Sequence, residues 1–226
     1  MTPILHIGPK NYSSWSLRPW LVLKWGEIEF AEHYIPLDQP GYGEGEIAEV
    51  KAVSPNGTVP ALTIGQQVIW DSLAIAEWAA EQAPELWPTD ASTRAEARSA
   101  SAEMHSGFFG LRRDLPMNIT RRCPNQDWPQ DTARNLKRLF NLWQACRSVH
   151  ARTGPWLFGK RSIADAFYAP VATRLRTYSV PVNAVCQAYI DTVLSDSAFM
   201  EWEAECKGGV WDKPGFPVLD NLYAND

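Results

Sequence analysis

The segment Thr58-Val59-Pro60-Ala61-Leu62, followed shortly by Asp71-Ser72, limits the chain more than any other. Pro60 lacks an N–H, so no central strand runs through it. A strand is expected to end at Val59 and to turn at Pro60, where an X–Pro bond can be cis. A cis bond there turns the Val59 N–H and C=O outward, free to pair with an extended peptide. Asp71-Ser72 opens Leu73-Ala74-Ile75-Ala76-Glu77-Trp78, a run with helical period. Ser72 and its neighbouring N–H groups therefore stand at a helix N-terminus, where anions bind. Taken singly, these are a turn proline and an ordinary Ser/Asp cap. Taken together, they read as one site for the backbone and the charged end of a small peptide.

The surrounding sequence alternates strand and helix. Ile4 to Ile7 is β-rich, Ser16 to Trp25 carries a buried helical face with Pro19 in its first turn, and Gly26 ends it. Ile28 to Ile35 reads as a strand and Glu44 to Val53 as a weak helix. Thr58 to Ile64 and Gln67 to Trp70 flank Gly65-Gln66 as a hairpin, and Ser72 to Gln82 is the next helix. The order βαβ, α, ββα predicts a small α/β domain over 1–82, with a mixed four-stranded sheet. The prolines at 84 and 88 mark a linker over 83–90. From 91 to 226 an all-helical domain is expected, with helices near 91–114, 129–152, 163–178, 183–195 and 197–207. A loop lies around Cys123 to Pro129, and a Gly/Pro/aromatic end from Gly208 is expected to wrap over the surface.

Composition removes several functions. A formal net charge of -5 argues against general nucleic-acid binding. No apolar run approaches the roughly 20 residues of a membrane span. Met1 to His6 lacks a basic segment followed by a long apolar one, so no signal peptide is expected. Cys123, Cys146, Cys186 and Cys206 form no C-x-x-C pair, which suggests free thiols in a reducing cytoplasm. His6, His33, His105 and His150 are scattered without ligand spacing, so no metal is expected. Eleven tryptophans supply core and interface anchors and could line an apolar pocket.

Asn11-Tyr12-Ser13-Ser14-Trp15-Ser16 joins the first strand to the first helix. A serine hydroxyl beside unpaired helix N–H groups either caps the helix or donates to an anion such as a thiolate. There is no G-x-S-x-G elbow, so hydrolase chemistry is not expected. Ser162-Ile163-Ala164-Asp165 is a capping arrangement opening a further apolar helix, in which Pro170 predicts a kink.

These features resemble the cytosolic glutathione transferases: serine after the first strand, V-P-A-L, an acidic-Ser pair and an S-I-A-D box in a helical second domain. The resemblance implies a thioredoxin-like first domain that binds glutathione. It places Val59, with cis Pro60, on the cysteinyl backbone. It places Asp71 on the γ-glutamyl ammonium and Ser72 on the carboxylate. Ser13-Ser14-Trp15-Ser16-Leu17-Arg18 is most similar to the S-S-C-S-x-R segment of zeta-class enzymes, which include maleylacetoacetate isomerases. Ser13 would activate the thiol, with Ser14 beside it. Trp15 stands where zeta has cysteine, and Asp71 where zeta has Gln. The arginine that zeta carries after the capping box falls at Thr177, with Arg174 and Arg176 out of register. The expected activity is transfer of glutathione to a small hydrophobic electrophile, held by Trp15, Met104, Phe108 and Arg112 at helical spacing. The alternatives are a zeta-type isomerase that releases glutathione unchanged and a non-catalytic stress or protein-binding module. A homodimer is also implied.

Overall fold

The computed structural model describes residues 1–206; the sequence-based expectation for the end beyond Gly208 lies outside the described residues. Strands β1 (Ile4–Ile7), β2 (Ala31–Tyr34), β3 (Ala61–Ile64) and β4 (Gln67–Ile69) form one sheet in the order β2-β1-β3-β4. β1 and β2 pair in parallel, with His6 opposite His33. The β1–β3 and β3–β4 pairs are antiparallel. Gly65, at φ +60, makes the tight turn between β3 and β4 that a side chain would strain. Around the sheet lie α1 (Ser14–Trp25), α2 (Ala48–Val53) and α3 (Ser72–Gln82). A 3₁₀ turn over Pro84–Leu86 leads into α4 (Ala91–Ser106), α5 (Phe109–Asp114), α6 (Gln130–His150), α7 (Ile163–Thr177), α8 (Ala184–Leu194) and α9 (Ser197–Glu205). This is a thioredoxin-like domain followed by a helical one.

Three expectations are corrected. β3 begins at Ala61, so Val59 precedes a strand rather than ending one. α1 begins at Ser14, which moves Pro19 from the first turn into the second. The helix expected over 91–114 is two helices. Gly107 is extended and Phe108 is left-handed, at φ 57, so the chain turns between α4 and α5. Met104, Phe108 and Arg112 therefore do not share one helix face.

Helix α1 is the wall between the two parts. Ten of its twelve residues are buried, and it packs against α3 of its own domain and against α7 and α9 of the other. Each fully buried Leu on it contributes roughly 1.5–3 kcal/mol. Polar latches cross the same boundary. Trp25 Nε1 donates to Asp196 Oδ1 at 2.9 Å. Trp202 Nε1 donates to the Lys10 carbonyl at 2.9 Å. Lys10 Nζ pairs with Glu205 at 2.6 Å. The start of α7 is fixed by the capping box of Ser162 and Asp165. Burial pushes the Asp165 carboxyl up to about 6, against hydrogen bonds from Leu157 N, Ser162 N and the Tyr189 hydroxyl. α7 thus presents its side chains to α1 at a fixed height.

Candidate active site

Ser13 is the N-cap of α1. Its hydroxyl oxygen accepts from Ser16 N at 3.3 Å and lies 2.7 Å from Ser16 Oγ. Ser16 Oγ also accepts from Gly8 N at 3.2 Å, which ties the helix start to the end of β1. Ser14 is buried, and Arg174 Nη2 on α7 donates to its hydroxyl oxygen at 3.1 Å. The two serines thus differ. Ser13 sits half-buried on the cap, and Ser14 is held from the second domain.

The Val59–Pro60 bond is cis. Val59 is half-buried against the small cluster of Ile35, Ile47 and Val50. Asp71 is the N-cap of α3, its Oδ1 accepting from Leu73 N at 2.9 Å. Ser72 is fully buried, and its Oγ has no partner among the described residues. An orphaned buried hydroxyl at a helix N-terminus is unusual, and it suits the carboxylate that the resemblance assigns to it.

Of the expected electrophile wall, Met104 and Phe108 are buried in the hydrophobic core. Trp15 is 37% exposed, and two guanidiniums pack on its ring, Arg18 at 4.3 Å and Arg112 at 4.6 Å from the ring centre. Arg112 is anchored to the end of α4, donating to the carbonyls of Gly107 and His105 at 2.9 and 3.1 Å and to that of Met104.

Sequence reading did not assign the most unusual group here. Arg18 is 0% exposed, and none of its three guanidinium nitrogens has a hydrogen-bond partner among the described residues. Its other ring contact is Phe167, at 4.9 Å. Arg174 is also buried, and its Nε and Nη1 have no partner among the described residues. Burial, then Arg112 and Arg174, depress the Arg18 pKa well below its ordinary value, against the pull of Asp71. Burial and Arg112 lower Arg174 to about 9. Three guanidiniums thus lie close together in a buried setting, and Asp71 is the carboxylate that acts on Arg18.

Arg174 stands one turn before Thr177 on the same helix, and residues three apart share a face. A side chain set aside as out of register therefore reaches the site. His105, read from sequence as one of the scattered histidines, bridges the domains: its Nε2 is 3.0 Å from Asp71 Oδ2. Its ring packs edge-on against Trp15 at 5.4 Å. Ser14, Arg174, Trp15, Arg18, Arg112, His105 and Asp71 form one connected cluster. Among the described residues no group of three or more His, Cys, Asp or Glu could hold a metal. No helix among them is long and apolar enough to cross a membrane.

Residues 12–82 match the family model of the glutathione S-transferase N-terminal domain. A maleylpyruvate isomerase from Ralstonia sp is 29% identical over 142 residues, 59% of this chain and 66% of that one. A probable maleylacetoacetate isomerase 2 from Drosophila melanogaster is 28% identical over 184 residues, 80% and 78% of the two chains. The match thus spans just under two thirds of the Ralstonia enzyme's length. A glutathione transferase homologue from Burkholderia gl BGR1, solved with bound glutathione, superposes with a TM-score of 0.66 at 20% identity, covering 91% of this chain and 98% of that one. Residues 12–82 thus match the N-terminal domain of the glutathione S-transferases, and the fold is that of glutathione transferases.

Proposed function

We propose that this chain is a glutathione-dependent cis–trans isomerase acting on a small anionic substrate, of the kind named for its Ralstonia and Drosophila relatives. The observation that carries the reading is Arg18, fully buried and with all three guanidinium nitrogens lacking a partner among the described residues, beside Arg112 and Arg174. An unpaired buried charge costs several kcal/mol, so the cluster calls for an anionic ligand. A hydrophobic electrophile would leave these charges uncompensated, which counts against simple conjugation.

Asp71 receives the γ-glutamyl ammonium, and Ser72 with the N-terminus of α3 receives the carboxylate. The Val59 backbone aligns the cysteinyl residue. When bound, glutathione supplies a thiolate that adds reversibly to an activated double bond, allowing rotation about it. The Ser13 hydroxyl stabilises that thiolate, with Ser14 as the next candidate. Arg18, Arg112 and Arg174 bind and orient the substrate's negative charge, and Trp15 forms the rigid plate on which two of them pack.

The test is glutathione binding by calorimetry, followed by rate assays with maleylpyruvate and maleylacetone and with an aryl halide. The expected result is isomerisation with total glutathione unchanged. Steady accumulation of an aryl conjugate without any isomerisation would overturn the reading in favour of transfer. Binding with neither activity would favour the non-catalytic module.

A further inference from the structure

His105 lies in the last turn of α4 and reaches the start of α3, with Nε2 at 3.0 Å from Asp71 Oδ2. Asp71 Oδ1 accepts from Leu73 N. The carboxylate is thereby held at both oxygens, by its own helix on one side and by the helical domain on the other. The groups facing His105 are Asp71, Arg18 and Trp15 at α1, Arg112 at α5 and Phe167 at α7. Burial lowers the imidazole pKa, Asp71 opposes this, and Arg18 and Arg112 add to it. The ring is therefore neutral at pH 7. A carboxylate only accepts hydrogen bonds, so Nε2 carries the proton. A neutral donor orients Asp71 and leaves its charge intact for a ligand cation. An imidazolium would neutralise that charge.

We propose that His105 is the positioning residue for the amino end of glutathione: its Nε2–H fixes the Asp71 carboxylate in the orientation that receives the γ-glutamyl ammonium. The inference rests on the assignment of Asp71 made above. It also has a direction in pH. Acidification that protonates His105 sets a second cation on Asp71, in competition with the ligand ammonium. Glutathione affinity then falls as pH drops below the ordinary histidine range.

The experiment is calorimetric binding of glutathione and of its deamino analogue, glutaryl-cysteinyl-glycine, to wild type, His105→Ala and His105→Gln. The expected loss in His105→Ala is one net hydrogen bond, roughly 3- to 10-fold in Kd for glutathione, with no change for the deamino analogue. His105→Gln, which keeps an N–H donor and tests the role if the alanine variant folds poorly, should recover most of the affinity. It should also flatten the fall in affinity as pH drops below the ordinary histidine range. Equal losses for both ligands would make His105 a mere domain latch and overturn the proposal. So would an unchanged glutathione Kd in His105→Ala. Wild type that binds no glutathione would instead sink the site assignment, and the role of His105 with it.

Discussion

Arg174 reaches from α7 across the domain boundary and donates from Nη2 to the hydroxyl oxygen of Ser14 on α1, at 3.1 Å. The bond occupies one nitrogen and leaves Nε and Nη1, in a buried setting, without a partner among the described residues. Arg174 is thus placed against the serine pair with donors in hand.

Arg174→Ala should therefore lower kcat/KM for an anionic substrate about 10- to 100-fold, the worth of one charge-assisted hydrogen bond. Glutathione binding should remain. Arg174→Lys should recover only part of the loss, because a point charge does not reproduce the planar fork. Steady-state kinetics with calorimetry on the same samples would check this. An equal fall in glutathione affinity would place Arg174 at the wrong end of the site.

Arg18→Met should raise thermal stability while weakening substrate binding. Desolvating an unpaired guanidinium costs several kcal/mol. The ring contacts with Trp15 and Phe167 return about 1–2 kcal/mol each. The net gain should appear in calorimetric scans as a few degrees in Tm, at about 2–4 °C per kcal/mol for a chain of this size. A lower Tm would mean that Arg18 is already compensated within the fold.

Ser13→Ala should raise the pKa of the bound glutathione thiol and slow the reaction roughly 10- to 100-fold at neutral pH. The lost cap on α1 should also cost about 1 kcal/mol of stability. Ultraviolet titration of the thiolate separates the two effects. An unchanged thiol pKa would pass the role to Ser14.

Ser72→Ala should raise KM for glutathione with little change in kcat, since the contact is remote from the thiol. Stability should hold, because the Ser72 hydroxyl has no partner in the described fold to lose. A collapse of kcat at constant KM would contradict the assignment.

The pH dependence of folding should carry a signature from His6, whose Nδ1 lies 2.8 Å from that of His33. Burial and then His33 depress its pKa below the ordinary value. As pH falls through that ordinary value the unfolded chain takes up a proton that the folded chain does not. The stability contributed is complete at neutral pH and is lost on acidification. Urea titrations at pH 7 and pH 5 should show a smaller drop in His6→Asn than in wild type.

The half of the site proposed to bind the peptide could be read from sequence because its signals are local. Pro60 marks its turn by chemistry, Asp71 and Ser72 mark a helix start, and both lie within one hairpin and its following helix. The cationic half was not legible. Arg18, His105, Arg112 and Arg174 come from α1, α4, α5 and α7, and nothing local in any of these segments announces the others. Arg174 was missed for a sharper reason. Ungapped counting compares one position with one position, whereas a helix offers the same face again a turn earlier. The break at Gly107–Phe108 was hidden by good helix formers on either side.

The near-complete burial of α1 bears on how the molecule comes apart. A surface helix can fray or detach while its domain survives. α1 has almost no solvent face to fall back on, and it is shared by α3, α7 and α9. Removing the helical part would strip Trp20 of Trp202 and Trp25 of Trp156 and Asp196, so the prolines at 84 and 88 mark a seam in the chain and not a line of cleavage in stability. Both halves should melt in a single transition, and a fragment cut at that seam would be an aggregating species before it was a domain.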